Sequence, residues 1–136
     1  MKAVLISCVS KKLDTKAKAK ELYCSPLFRY NLKFAQKLNP DKTFILSAKY
    51  GLVPLEKEIE PYNLTLNTMK DKEIKKWAQL VLADLKKEAN LERDEIVFLA
   101  GSKYRKYLIP EINNYKVPME GLGIGRQLKF LKDSVK

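Results

Sequence analysis

Cys8, Lys49, Glu60 and Tyr62 are the side chains of this sequence best suited to chemistry. A cysteine beside lysines can hold its thiolate and act as a nucleophile, and Lys11 and Lys12 follow Cys8 by three and four positions. Lys49 offers an amine or a charge clamp, Glu60 a carboxylate for acid or base work, and Tyr62 a phenol that can donate a proton or stack on a base. The competing reading of Cys8 is a small, inert thiol packed at a strand end. Histidine is absent, which removes the commonest general base and the commonest metal ligand together. With only Cys8 and Cys24 as thiols, neither a disulfide framework nor a zinc cluster is expected, and no metal or other cofactor is assigned.

These groups need strands to gather them, because ligands of open parallel sheets sit beyond the carboxyl ends of the strands. Residues Lys2–Val9 begin with an apolar run that reads as a central strand buried on both faces, ending in Ser7 and Cys8. Lys11–Lys20 carries five lysines against one aspartate and is either a solvated stretch or a phosphate-facing loop. Tyr23-Cys24-Ser25-Pro26 starts a helix with serine as N-cap and proline in its first turn, and Asn39-Pro40 ends it. The second strand, Phe44–Leu46, delivers Ser47, Lys49, Tyr50 and Gly51 to the same edge. Pro54–Met69 lacks periodicity over sixteen residues and reads as an ordered active-site loop bearing Glu60, Tyr62 and Asn63, with a plain connector as the alternative.

Lys70–Leu91 is the clearest helix, and Trp77 falls inside its apolar stripe as a core residue. A third strand, Glu95–Ala100, is followed by Gly101 and Ser102 and then by Tyr104 and Arg105 on a short helix, where those two either face a ligand or simply ride on the helix. A weaker fourth strand lies within Asn113–Met119. After it, Gly121, Gly125 and Arg126 form a glycine-rich turn into the last helix, able to cradle an anion but weak as evidence alone.

This order predicts one α/β domain over residues 1–136, with three layers (α/β/α) and a four-stranded, mainly parallel sheet in the order 2-1-3-4. The switch point then falls between the first and third strands. No apolar run approaches the roughly 18–20 residues that span a bilayer, and no signal peptide precedes the first strand. No membrane partner is expected, and the cytoplasm is the expected compartment. The formal charge of +11 favours polyanions, nucleic acid or nucleotides, although the excess is almost all lysine and compositional bias produces the same balance.

Five motifs in order are familiar: Leu5-Ile6-Ser7-Cys8 with Lys11-Lys12, Tyr23-x-Ser25-Pro26-Leu27-Phe28, Leu46-Ser47-Ala48-Lys49-Tyr50-Gly51-Leu52-Val53, Ile59-Glu60-Pro61-Tyr62, and Gly121-x-x-x-Gly125-x-Gln127-Leu128. Over nearly the whole chain they resemble an uncharacterised family of bacterial, archaeal and phage domains that has no established activity. More distantly, the strand-end cysteine followed by lysines and the serine-containing strand end before Gly-Leu-Val-Pro are similar to a domain of archaeosine synthase, a tRNA base-modifying enzyme. A weaker likeness is to the peroxide-stress YaaA family. The archaeosine synthase likeness implies a uracil-DNA-glycosylase-like fold and a nucleobase or nucleoside ligand. The glycosylases' own Asp and His motifs are not recognisable here. The expected function is base modification or glycosidic-bond chemistry. A non-catalytic nucleic-acid-binding module and a nucleotide-binding regulator are the alternatives.

Overall fold

The computed structural model describes residues 1–136. In chain order the elements are β1 (Lys2–Ser7), β2 (Ala17–Lys18), α1 (Ala19–Leu22), α2 (Pro26–Lys37), β3 (Lys42–Ser47), β4 (Gly51–Pro54), β5 (Glu58–Ile59), a 3-10 turn (Leu66–Thr68), α3 (Asp71–Glu88), β6 (Glu95–Leu99), α4 (Ser102–Arg105), a second 3-10 turn (Ile109–Glu111), β7 (Tyr115–Lys116) and α5 (Ile124–Ser134).

β1 is the axis of a five-stranded sheet in the order β4-β3-β1-β6-β7. Ala3, Val4, Leu5 and Ile6 are all fully buried, as a continuous apolar run in a central parallel strand requires. β1 pairs in parallel with β3 and with β6, and β6 pairs in parallel with β7, so the four strands read from the sequence stand second, first, third, fourth. The expected count of four strands is corrected to five. Gly51, at φ 73°, turns the chain back so that β4 runs antiparallel to β3, pairing Ser47 with Gly51 and Leu46 with Leu52. Gly-Leu-Val-Pro was readable as an exit from the strand, because pairing with β3 depends on that turn and Pro54 marks an edge.

An alanine Cβ at Gly51 would meet only Val81 Cγ2 at 3.7 Å, so the obstacle to substitution is the left-handed backbone rather than space. Gly51→Ala is expected to cost about 1–2 kcal/mol, seen as a lower denaturant midpoint at unchanged m-value.

The two polar segments expected as loops also pair with each other. β2 and β5 form a small antiparallel sheet, with Ala17 opposite Ile59. The Ala19 and Lys20 amides extend the link to the Lys57 and Leu55 carbonyls at 2.8 and 3.0 Å. Glu56 accepts Lys18 at 3.1 Å and Lys20 at 2.5 Å, and these two ammonium groups hold its carboxyl below the usual range. Two of the five lysines in this stretch are therefore committed within the protein.

α2 starts as its sequence demands: Ser25 Oγ accepts the Phe28 amide at 3.2 Å, with Pro26 in the first turn. It packs against α5, where Phe34 and Phe130 meet edge-on at 5.5 Å. α3 buries Ile74, Trp77, Ala78, Val81, Leu82 and Leu85 and contacts β4 and α4. Buried apolar residues from the sheet and both groups of helices form one continuous cluster. No helix is long and apolar enough to cross a membrane.

Candidate functional site

Beyond the ends of β1 and β6 two cavities of about 340 and 420 Å³ adjoin one another, and both are lined by Cys8, Val9, Leu27, Asn67, Tyr104 and Ile124. The first continues over Ser7, Asn31, Gly101, Ser102, Arg105 and Gln127. The second continues over Lys11, Lys12, Ser25, Asn63 and Thr65. This is the switch-point crevice that the strand order dictates, since β1 sends its following chain to one side and β6 to the other.

Cys8 stands where the cavities meet, fixed at the strand end by its amide bond to the Leu46 carbonyl at 3.0 Å. Its Sγ lies 3.4 Å from Tyr104 Oη. Tyr104 Oη already accepts the Leu66 amide at 3.4 Å, which leaves the phenol hydrogen free to be given to the sulfur. Behind the thiol, Ser47 Oγ accepts the Tyr50 amide at 3.0 Å and donates to Tyr62 Oη at 2.8 Å, and Tyr62 Oη is 2.7 Å from Tyr23 Oη. The Trp77 indole N–H donates to the Ser47 carbonyl at 2.8 Å, and its ring meets Tyr104 edge-on at 5.6 Å.

Burial pushes the phenols of Tyr23, Tyr62 and Tyr104 up, Tyr23 to about 12, and the neighbouring Cys8 charge adds to the rise at each. All three therefore stay neutral across the physiological range, so each keeps a hydroxyl hydrogen. Lys12 Nζ sits 4.4 Å from the centre of the Tyr62 ring and 5.7 Å from that of Tyr23. Burial lowers the pKa of this amine, while the Cys8 charge opposes the shift. A thiolate formed at Cys8 would have a phenol hydrogen on one side and a partly desolvated ammonium in its field.

A family model described as a family of unknown function, DUF6884, matches residues 3–133. The chain belongs to DUF6884. No curated protein and no solved structure matches it.

The DUF6884 fold gathers some of the residues expected at the site and not others. Ser7, Cys8, Lys11, Lys12, Ser25, Asn63, Gly101, Ser102 and Arg105 line the crevice. Arg105 is tied down there, its guanidinium donating to the Ala100 carbonyl at 2.7 Å. Tyr23, Ser47, Tyr50 and Tyr62 stand behind it as a hydrogen-bonded support, and Gly51 serves the β3–β4 turn.

Lys49 is displaced from the expected site: its side chain is exposed, lines neither cavity, and places its ammonium 5.3 Å from the Tyr50 ring centre. The hairpin is the physical reason, because the chain reverses at Ser47–Gly51 and leaves residue 49 on the outside. The amines that line Cys8's cavities are instead Lys11 and Lys12 in the second and Lys103 in the first. Glu60 is exposed as well, and its backbone carbonyl, rather than its carboxylate, is engaged, accepting the Tyr50 hydroxyl at 3.4 Å. Gly121, Gly125 and Arg126 are exposed and line neither cavity, whereas their neighbours Ile124 and Gln127 do.

Sequence reasoning left Tyr104 undecided between ligand-facing and incidental, and it passed over Asn31 altogether. Asn31 had a signal: it sits between Phe28 and Ala35 on the buried face of α2, where an apolar residue belongs. Nowhere in this DUF6884 chain do three His, Cys, Asp or Glu side chains come together in a group that could hold a metal ion.

Proposed function

We propose that the protein binds a nucleobase-bearing ligand, a nucleoside or nucleotide, across the two cavities and acts on it through Cys8, in base modification or glycosidic-bond chemistry. The observation that carries this reading is the position of Cys8 at the junction, with the Tyr104 hydroxyl at 3.4 Å and Lys12 on the same cavity wall. Both cavities are of small-molecule size. Lys11 and Lys12 give the second a positive wall suited to a phosphate, and the first is lined by strand-end backbone, with its Lys103 and Arg105 cations engaged by the Asn67 and Ala100 carbonyls. In this reading the base lies in the first cavity, the sugar phosphate in the second, and the thiolate faces the bond or ring atom between them. Tyr104 holds the sulfur by donating to it, and Lys12 lines the same cavity. The motif likeness to the archaeosine synthase domain supports a nucleobase ligand. The second-first-third-fourth strand order supports a three-layer, uracil-DNA-glycosylase-like arrangement.

The test has two arms. Nucleosides, nucleotides, 7-deazapurines and short oligonucleotides are screened by thermal shift, and conversion of those that bind is followed by mass spectrometry. At least one nucleotide or nucleoside is expected to raise the melting temperature, and Cys8→Ser to keep that shift while losing conversion by roughly 10³-fold or more. The second reading, a non-catalytic nucleic-acid-binding module, draws on the net charge of +11. It is favoured if only oligonucleotides bind, with affinity that falls steeply with salt, and Cys8→Ser changes nothing.

A further inference from the structure

Asn31 is 5% exposed, lines the first cavity, and its carboxamide oxygen has no hydrogen-bond partner. Buried polar atoms are almost always paired, and an unpaired one destabilises the fold. The cost is not forced by the helix. Asn31 occupies the buried register of α2 between Phe28 and Ala35, where a leucine, with the same branching at Cγ, would continue the apolar stripe with no polar atom left over. Neither other carboxamide of the cavity is in the same state, since the Gln127 amide nitrogen already donates to the Leu122 carbonyl at 2.8 Å and Asn67 is exposed.

From this geometry we infer that Asn31 is the group that reads the ligand's base, its carboxamide pairing with an adjacent donor and acceptor on the edge of a planar heterocycle in the first cavity. The inference rests on the proposed nucleobase ligand and deepens it by assigning the recognition end. Rotation about the side-chain bonds brings the oxygen to the cavity, where a ring or exocyclic N–H supplies the partner that the protein withholds. The amide nitrogen then meets a neighbouring ring nitrogen or carbonyl. A carboxamide is matched to this two-point contact, as asparagine is to adenine in duplex recognition. Ribose and phosphate extend from there past Cys8 toward Lys11 and Lys12, which line only the second cavity. Asn31 is therefore a specificity residue, whereas Cys8 is the reacting one.

The experiment uses the full chain with adenosine, guanosine, cytidine and uridine 5′-monophosphates and ribose 5-phosphate as probes, read by calorimetry. The wild type is expected to bind at least one nucleotide at least ~10-fold more tightly than ribose 5-phosphate. Asn31→Leu is expected to lose roughly 10- to 100-fold of that nucleotide affinity, to keep its ribose 5-phosphate affinity, and to melt no lower than the wild type without ligand. A purely structural asparagine would show the reverse, a lower melting temperature with unchanged selectivity. Asn31→Ala serves if the leucine variant does not fold, and must lose the same selectivity. Nucleotides binding equally well to wild type and to both variants would overturn the Asn31 assignment and leave the nucleobase reading standing. No nucleotide binding to the wild type would overturn both.

Discussion

Above pH 10 the folded protein is expected to lose stability at up to roughly 4 kcal/mol per pH unit, because its unfolded state releases three protons that the native state keeps. Tyr23, Tyr62 and Tyr104 all have native pKa values raised above their ordinary value near 10, chiefly by burial. For a raised pKa, the stabilising contribution is complete below the unfolded value and is lost as pH climbs toward the folded one. The window therefore opens at about pH 10 and extends through about 12, where Tyr23 titrates, and beyond for the other two. Lys12 acts in the opposite sense. Its native pKa is lowered by burial, so its penalty fades as pH rises to the unfolded value near 10.5. One lysine cannot offset three phenols, and a domain in the lower part of the usual range of about 5–15 kcal/mol should unfold within about one to three pH units above 10. Denaturant titrations at pH 8, 10 and 11 measure the slope. Phenolate absorbance from these residues should appear together with the loss of circular dichroism, and ionisation of all three in a still-folded chain would contradict the expectation.

Trp77→Ala is expected to cost about 3–5 kcal/mol and to leave much of the chain unfolded at moderate temperature. The indole is 7% exposed in the core stripe of α3, so its removal opens a large cavity. It also strips the donor from the Ser47 carbonyl and the edge contact from Tyr104. Trp77→Phe separates these contributions. It keeps most of the volume and should cost about 1–3 kcal/mol, mainly the carbonyl left without its donor. Because Trp77 is the only tryptophan, unfolding of both variants is followed by circular dichroism rather than fluorescence. A Trp77→Ala midpoint equal to the wild type would refute the assignment of Trp77 to the core.

The same residue shows how much of the fold was legible. Ile74, Trp77, Ala78, Val81, Leu82 and Leu85 recur at helical spacing, and all six are buried on α3. The continuous apolar runs of β1, β3 and β6 identified the sheet, and right-handed crossovers then left few orders to choose from. β4, β2 and β5 were not legible, since four-residue and two-residue strands carry too little pattern and exist because of partners far away in the chain. The position of the crevice followed from the strand order alone. Its membership did not: Lys49 and Lys12 are equally basic in sequence, and only the β3–β4 reversal decides that the first points outward while the second lies over Tyr62. Tyr104 and Asn31 needed the packed structure, because their role depends on what stands 3.4 Å away in one case and on the lack of any partner in the other.

The pairing of β2 with β5 joins segments about forty residues apart, one carrying Ser10–Lys12 and the other Asn63–Thr65 into the second cavity. Two walls that would otherwise fluctuate separately are thereby mechanically coupled. The first wall is held a second time, because the Cys24 amide donates to the Lys11 carbonyl at 3.1 Å and the Leu13 amide to the Leu22 carbonyl at 2.9 Å, while the Lys18–Glu56–Lys20 clasp reinforces the small sheet. The entrance is thus framed by backbone pairing on both sides rather than by two free loops.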